Sequence, residues 1–212
     1  GTALDIVSSA TSVALFIMYG ASAWGLKEST ELRVGGTTTL SYWSLMTHLG
    51  YTLYETLLYF CMEKWGTGKD SLMYIHHVCV LGNLVPVLCT NRLHFYSCWM
   101  GLVEGTNPCL SGVFFFPRIN MKESIFVTIS GVLLFLGFLF LRVLQLPYIF
   151  YWVMLDMNTL DWEVASSAWA YCFGSVSIVF LWGLSTFWFY RIALGMFKTL
   201  GLIKPKKPEK DA

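Results

Sequence analysis

What most constrains this chain is a series of six apolar stretches, each near or above the roughly 20 residues that a helix needs to cross a bilayer core of about 30 Å. They cover residues 3–24, 40–62, 71–89, 93–116, 124–154 and 164–202, with clusters of polar residues between them. A water-soluble domain of 212 residues could not hide that much apolar surface: 56% of the residues are hydrophobic, 17% are aromatic and only 13% are charged, and the mean hydropathy is +0.58. Lipid is therefore the solvent for most of the polypeptide. The expected fold class is all-α, a polytopic membrane bundle of six helices. Pro147 is expected to break the long fifth stretch, and the sixth to run out along the interface through Tyr190, Arg191 and Lys198. A seventh span fits inside either.

With six spans, Lys64, Lys69, Arg118, Lys122, Lys198 and the tail lysines Lys204, Lys206, Lys207 and Lys210 fall on one side of the membrane. The other side has Lys27, Arg33 and Arg92 against the acidic loop of Asp156, Asp161 and Glu163. The positive-inside rule then predicts both termini on the cytoplasmic, matrix or stromal side. A net charge of +1 offers no broad field for nucleic acid. The six cysteines (Cys61, Cys79, Cys89, Cys98, Cys109 and Cys172) stand singly in apolar surroundings, without the paired spacing of a zinc site or a disulfide framework, so no metal site is expected. The chain begins Gly1-Thr2, which leaves room for a processed or longer N-terminus and a targeting segment. Three regions follow: residues 1–40 as the first helix and its loop, 41–202 as the main transmembrane domain, and 203–212 as a basic tail.

An ionisable side chain at the centre of a spanning helix costs about 2.5 kcal/mol or more, so each is expected to face the bundle interior and find a partner. His48 and Glu55 are seven apart, two helical turns on one face, with Tyr51 between them. His76 and His77 open the third stretch, with Asn83 seven beyond His76 on the same stripe. The fourth holds Glu104 and Asn107 among Gly101, Gly105 and Pro108, which would thin and bend the helix around the carboxylate. The fifth holds Arg142. A site can be drawn in which Glu55 or Glu104 fixes a histidine tautomer, the other ring nitrogen faces a substrate and Arg142 neutralises a carboxylate or phosphate. In the competing reading these residues satisfy one another and lock the bundle, with Arg142 snorkelling or paired to Glu104. His94, beside Arg92, reads as a solvated loop residue, and Trp24, Trp43, Trp65, Trp152, Trp162 and Trp188 read as interfacial belts.

At these same residues the chain resembles the TLC-domain family, which includes the ceramide synthases, translocon-associated proteins and smaller proteins that affect membrane lipid composition. The resemblance runs from about residue 41 to 198. It is carried by Gly50-Tyr51-Thr52-Leu53-Tyr54-Glu55, by Ile75-His76-His77, by Glu104-Gly105-Thr106-Asn107-Pro108, by Arg142 with Pro147, and by a closing segment from Trp182 to Lys198. It implies a TLC-type bundle of six or seven helices around a central cavity entered from the bilayer, and an endoplasmic reticulum or related endomembrane location, with an organellar inner membrane as the alternative. In the synthases such a cavity performs acyl transfer from acyl-CoA. Here Val80 stands where the synthases have a threonine, Val87-Leu88 where they have Ser-Tyr, and Ser97 and Met100 where they have two aspartates. Valine and methionine can neither accept a proton nor orient a histidine, which points to the smaller, non-synthase branch.

The first expected function is lipid binding in the central cavity, with influence on membrane lipid composition, through His48, Tyr51, Glu55, Asn83, Glu104, Asn107 and Arg142. One alternative is a non-catalytic subunit of a larger membrane complex, for example in an organellar energy-transducing membrane, with membrane-protein partners. The other is a histidine-dependent acyltransferase with His76 and His77 as catalytic residues and acyl-CoA as substrate. The residues support binding better than catalysis. No cofactor is expected, and the expected partner is membrane lipid.

Overall fold

The computed structural model describes residues 2–64, 71–158, 165–199 and 202. Trp65, Lys69, Asp161, Trp162, Glu163, Lys204, Lys206, Lys207 and Lys210 lie outside the described residues. Within the described residues each apolar stretch is largely helical, as hydrocarbon requires of a backbone that must satisfy its own hydrogen bonds. The order is α1 (Thr2–Leu26), a short α2 (Thr30–Gly35), α3 (Thr39–Lys64), α4 (Ser71–Thr90), α5 (His94–Gly101), a 3-10 turn (Leu102–Thr106), α6 (Asn107–Arg118), α7 (Ile125–Gly137), a π-helical segment (Phe138–Leu144), α8 (Gln145–Met157) and α9 (Ala165–Thr199). No strand occurs among the described residues. Because α5 runs through the 3-10 turn into α6, and α7 through the π segment into α8, the long elements among the described residues amount to six rods.

Among the described residues, four helices are long and apolar enough to cross a membrane: Ile6–Leu26, Leu72–Thr90, Ile125–Met157 and Tyr171–Lys198. The other two rods, α3 and α5–α6, carry His48, Glu55, Glu104 and Asn107, and those residues are what lower their hydropathy. At 35 residues α9 would extend roughly 50 Å, well beyond a bilayer core, so it must tilt or continue into the interface.

Pro147 does not end its helix. It lacks the N–H that would bond the Val143 carbonyl one turn back, and that carbonyl accepts instead from the indole Nε1 of Trp182 on α9, at 3.0 Å. The irregularity appears just upstream as the π segment, which carries Arg142. Polar caps set other boundaries. Ser29 Oγ accepts from the Leu32 amide at 3.2 Å to start α2, and Ser124 Oγ accepts from the Phe126 amide at 3.2 Å to start α7.

The rods form a ring. α1 packs on α3, α3 on α4, α4 on α9, α9 on the α7–α8 rod, that rod on α5–α6, and α5–α6 back on α1. Gly101 and Gly105 make the last contact close: a Cβ at Gly101 would enter the Tyr19 ring, and one at Gly105 would come within 2.6 Å of Phe16. Within the ring, α5 also touches α3, α4 and α8, so it plugs one end. The fully buried Leu15, Tyr19, Leu45, Cys98 and Ile149 lie in this core. α6 diverges from that centre towards α1 and α7 and leaves the other end hollow.

Candidate functional site

The hollow is a cavity of about 440 Å³, bounded by α3, α4, the 3-10 turn with α6, the π segment and α9. His48, Tyr51, Glu55, His76, His77, Glu104, Asn107 and Arg142 all line it, together with apolar Met73, Leu110, Phe114 and Phe138. Of the residues singled out in the sequence only Asn83 is displaced. It lies beyond the floor, beside a void of about 30 Å³ that could hold little more than a water, and its amide meets Met100 Sδ at 3.7 Å. Arg142 sits seventeen residues into its 33-residue rod, roughly 25 Å from the Ile125 end, so the polar floor is near the middle of that rod. The mouth lies towards the helix ends marked by Ser71, Arg118 and Thr199, with Phe114 and Arg191 exposed at its wall.

Two similar chains of polar groups cross the interior. In one, Tyr19 OH and His48 Nδ1 are 2.6 Å apart and His48 Nε2 faces Glu104 Oε1 at 3.7 Å. In the other, Thr56 Oγ1 and His77 Nδ1 are 3.0 Å apart and His77 Nε2 faces Glu55 Oε2 at 3.7 Å. The same-face placement of His48 and Glu55 therefore holds, but each pairs across the bundle rather than with the other. Tyr51 OH donates to Glu55 Oε1, and Ser8 Oγ approaches the same oxygen at 3.4 Å. Asn107 Nδ2 donates to Glu104 Oε2 at 2.7 Å.

Arg142 is buried and does not snorkel. Its Nε donates to Thr106 Oγ1 at 3.0 Å, and its Nη2 donates to the Val103 carbonyl at 3.2 Å and to Asn107 Oδ1 at 3.3 Å. The guanidinium lies over the Phe138 ring at 4.7 Å. Asn107 thus stands between Glu104 and Arg142, an amide bonded to both. Within the 3-10 turn the Val103 carbonyl accepts from both the Arg142 guanidinium and Thr106 Oγ1, at 3.2 and 2.8 Å.

His48 and His77 each have Nδ1 within hydrogen-bond distance of a hydroxyl, Tyr19 and Thr56 respectively, and Nε2 facing a carboxylate at 3.7 Å, longer than a hydrogen bond. His76 takes part in neither carboxylate contact; its buried Nδ1 has no hydrogen-bond partner, and its ring meets Trp188 edge-on at 5.7 Å. Trp188 is accordingly a cavity wall, not an interfacial belt. His94 is not solvated: it opens α5, is fully buried, and its Nδ1 lies 2.8 Å from Ser41 Oγ.

Sequence reasoning missed Tyr19, Thr56, Thr106 and Trp188. A usable signal existed for Tyr19, since a tyrosine well inside an apolar stretch is out of place for a residue that favours membrane interfaces. Thr106 could have been found from its position between Glu104 and Asn107. Thr56 and Trp188 gave no such signal.

The family profile described as TLC domain matches residues 6–194. TLC domain-containing protein 4 A of Dictyostelium discoideum is 25% identical over 93% of this chain and 73% of its own length. TLC domain-containing protein 4 of Xenopus tropicalis is 25% identical over 76% of this chain, which spans 62% of the frog protein's length. No solved structure matches the chain.

Proposed function

The chain belongs to the TLC domain family, and from that premise we propose that it is a non-synthase member that binds a membrane lipid in its central cavity and thereby influences membrane lipid composition. The observation that carries the reading is the cavity itself, about 440 Å³ with a polar floor and apolar walls rising past Leu110 and Phe114. Side chains alone do not fill it, and its volume falls in the range that takes a small ligand. A single-chain amphiphile suits it, with its polar end on His48, Glu104 and Arg142. The proposal includes six membrane crossings, with α3 and α5–α6 completing the four apolar helices, both termini on the positively charged side, and an endomembrane location. Binding without catalysis is favoured because Val80, which lines the cavity beside His76 and His77, stands where the synthases carry a threonine.

The experiment is lipid analysis of the full chain purified in mild detergent, by native mass spectrometry, beside Leu110→Trp. The indole would occupy the cavity wall while leaving the ring of rods intact. Lipid adducts on the wild type that fall away in Leu110→Trp are expected. A wild type that carries no lipid, or a variant that retains as much, would overturn the proposal.

A further inference from the structure

The groups lining the cavity differ in how fully they are satisfied. Each carboxylate accepts on one oxygen, Glu55 Oε1 from Tyr51 and Ser8 and Glu104 Oε2 from Asn107, and its other oxygen faces a histidine at 3.7 Å. Arg142 is only half supplied. A guanidinium has five N–H donors in a planar fork. Its three bonds use Nε and Nη2, and every acceptor is neutral: a hydroxyl, a backbone carbonyl and an amide oxygen. The two hydrogens of Nη1 enter none of these bonds, on a residue only 5% exposed that lines the cavity.

A buried cation with unused donors is costly unless an anion meets it. Asn107 bonds both Glu104 and Arg142 and no direct ion pair joins the two, so the Nη1 edge of the guanidinium stays available to something else. The fixed partners also hold the fork in one orientation, with its Nε edge anchored on Thr106. Arg191 adds a second cation to the wall at the mouth. A cationic head group would have to come to rest beside the Arg142 guanidinium and be repelled by it, whereas each carboxylate already has a protein donor on one oxygen and a histidine facing the other.

Resting on the reading of the cavity as a lipid site, we infer that the lipid it takes carries an anionic oxygen head group, a phosphomonoester or a carboxylate, which docks on the Nη1 edge of Arg142. The head group enters first and lies deepest, and the single acyl chain runs back past Phe138, Leu110 and Phe114 towards the mouth. Charge-assisted hydrogen bonds of this kind should favour the anion over a neutral head of the same chain by about tenfold.

The test holds the chain constant and varies the head. Oleate, oleoyl lysophosphatidate, monooleoylglycerol and oleylamine are titrated into the full chain in maltoside micelles and read by native mass spectrometry. At least one anionic probe should bind about tenfold more tightly than monooleoylglycerol. Whether oleate or lysophosphatidate leads identifies the carboxylate or the phosphate. Arg142→Gln should abolish the preference while monooleoylglycerol binds as before, and Arg142→Lys should keep part of it. Should Arg142→Gln fail to fold, the wild-type ranking and Arg142→Lys carry the test. Equal binding of neutral and anionic probes, tighter binding of oleylamine, or a preference that survives in Arg142→Gln would overturn the inference and leave the lipid site standing. Binding of no probe would overturn both.

Discussion

At the α2 end of the bundle, Arg33 and Asp156 meet directly: Arg33 Nε donates to Oδ2 at 2.7 Å and Nη2 to Oδ1 at 2.8 Å, a two-bond fork. At the hollow end Arg142 and Glu104 lie on neighbouring segments, but Asn107 stands between them. The Arg33 guanidinium also binds Thr30 and the Lys27 carbonyl and stacks over Trp152, and Tyr96 donates to Asp156. The Asp156 carboxylate, with Tyr96 behind it, holds Arg33 even more firmly protonated than an ordinary arginine. One end therefore uses its charges on each other, tying α2 to α8 across 123 residues. The other holds its charges apart around an open space. A bundle that needed only to hold together would have no reason to insert an amide between a buried guanidinium and a carboxylate.

The largest expected effect separates the two ends outright. Asp156→Ala leaves Arg33 and Tyr96 facing each other without their shared acceptor, in a place where Asp156 is only 3% exposed. Removing one partner of such a pair should cost about 3 kcal/mol. The check is the thermal midpoint in detergent, followed by tryptophan fluorescence, with lipid adducts counted on the protein that remains folded. A marked drop in midpoint with unchanged adducts is expected; adducts lost in proportion to stability would mean that the ends do not act independently.

A smaller effect tests how the hollow end keeps its shape. Trp182→Phe removes the donor that satisfies the Val143 carbonyl one residue from Arg142. An orphaned carbonyl in lipid should cost about 1–2 kcal/mol. If Pro147 is the cause, the same substitution should cost less in a Pro147→Ala background, where a backbone N–H returns to that carbonyl. A double-mutant cycle on the thermal midpoint measures the coupling. Additive losses would show that the indole supports the π segment in some other way.

Much of this contrast could be read in the sequence, and the unread part has a common physical cause. Hydropathy located the helices closely: the stretch at 71–89 is α4 (Ser71–Thr90), and the one at 3–24 is α1 (Thr2–Leu26). It did so because lipid leaves the backbone few alternatives. The cavity residues could be found because ionisable groups are rare in such segments, and the expense of burying them requires an interior position. Partner choice could not be read. Glu55 was as free to meet His48 as His77, and only the rotation of α3 against α4 decides between them. Arg33 and Asp156 were assignable to one side of the membrane, but joining them needed the fold of α2. Trp188 lies close enough to the end of its stretch to pass for an anchor, since a tryptophan's preference for the interface does not reveal which way it faces.

The smallest expected change in stability bears most directly on the hollow end. Glu104→Gln keeps the shape of the side chain and an oxygen to accept from Asn107 Nδ2. His48 retains Tyr19 as its closest partner, since Glu104 lies at 3.7 Å and Tyr19 at 2.6 Å. The thermal midpoint should therefore move by the equivalent of less than about 1 kcal/mol. Removing the carboxylate's charge leaves the Arg142 guanidinium less offset, so retention of an anionic amphiphile such as oleate should rise severalfold while that of monooleoylglycerol stays the same. An unchanged ranking of the two probes would mean that the charges of this end serve only to fasten the bundle, as at the α2 end. A large loss of stability would mean that Glu104 is held by a contact as strong as the Arg33–Asp156 fork, and the contrast between the two ends would fail.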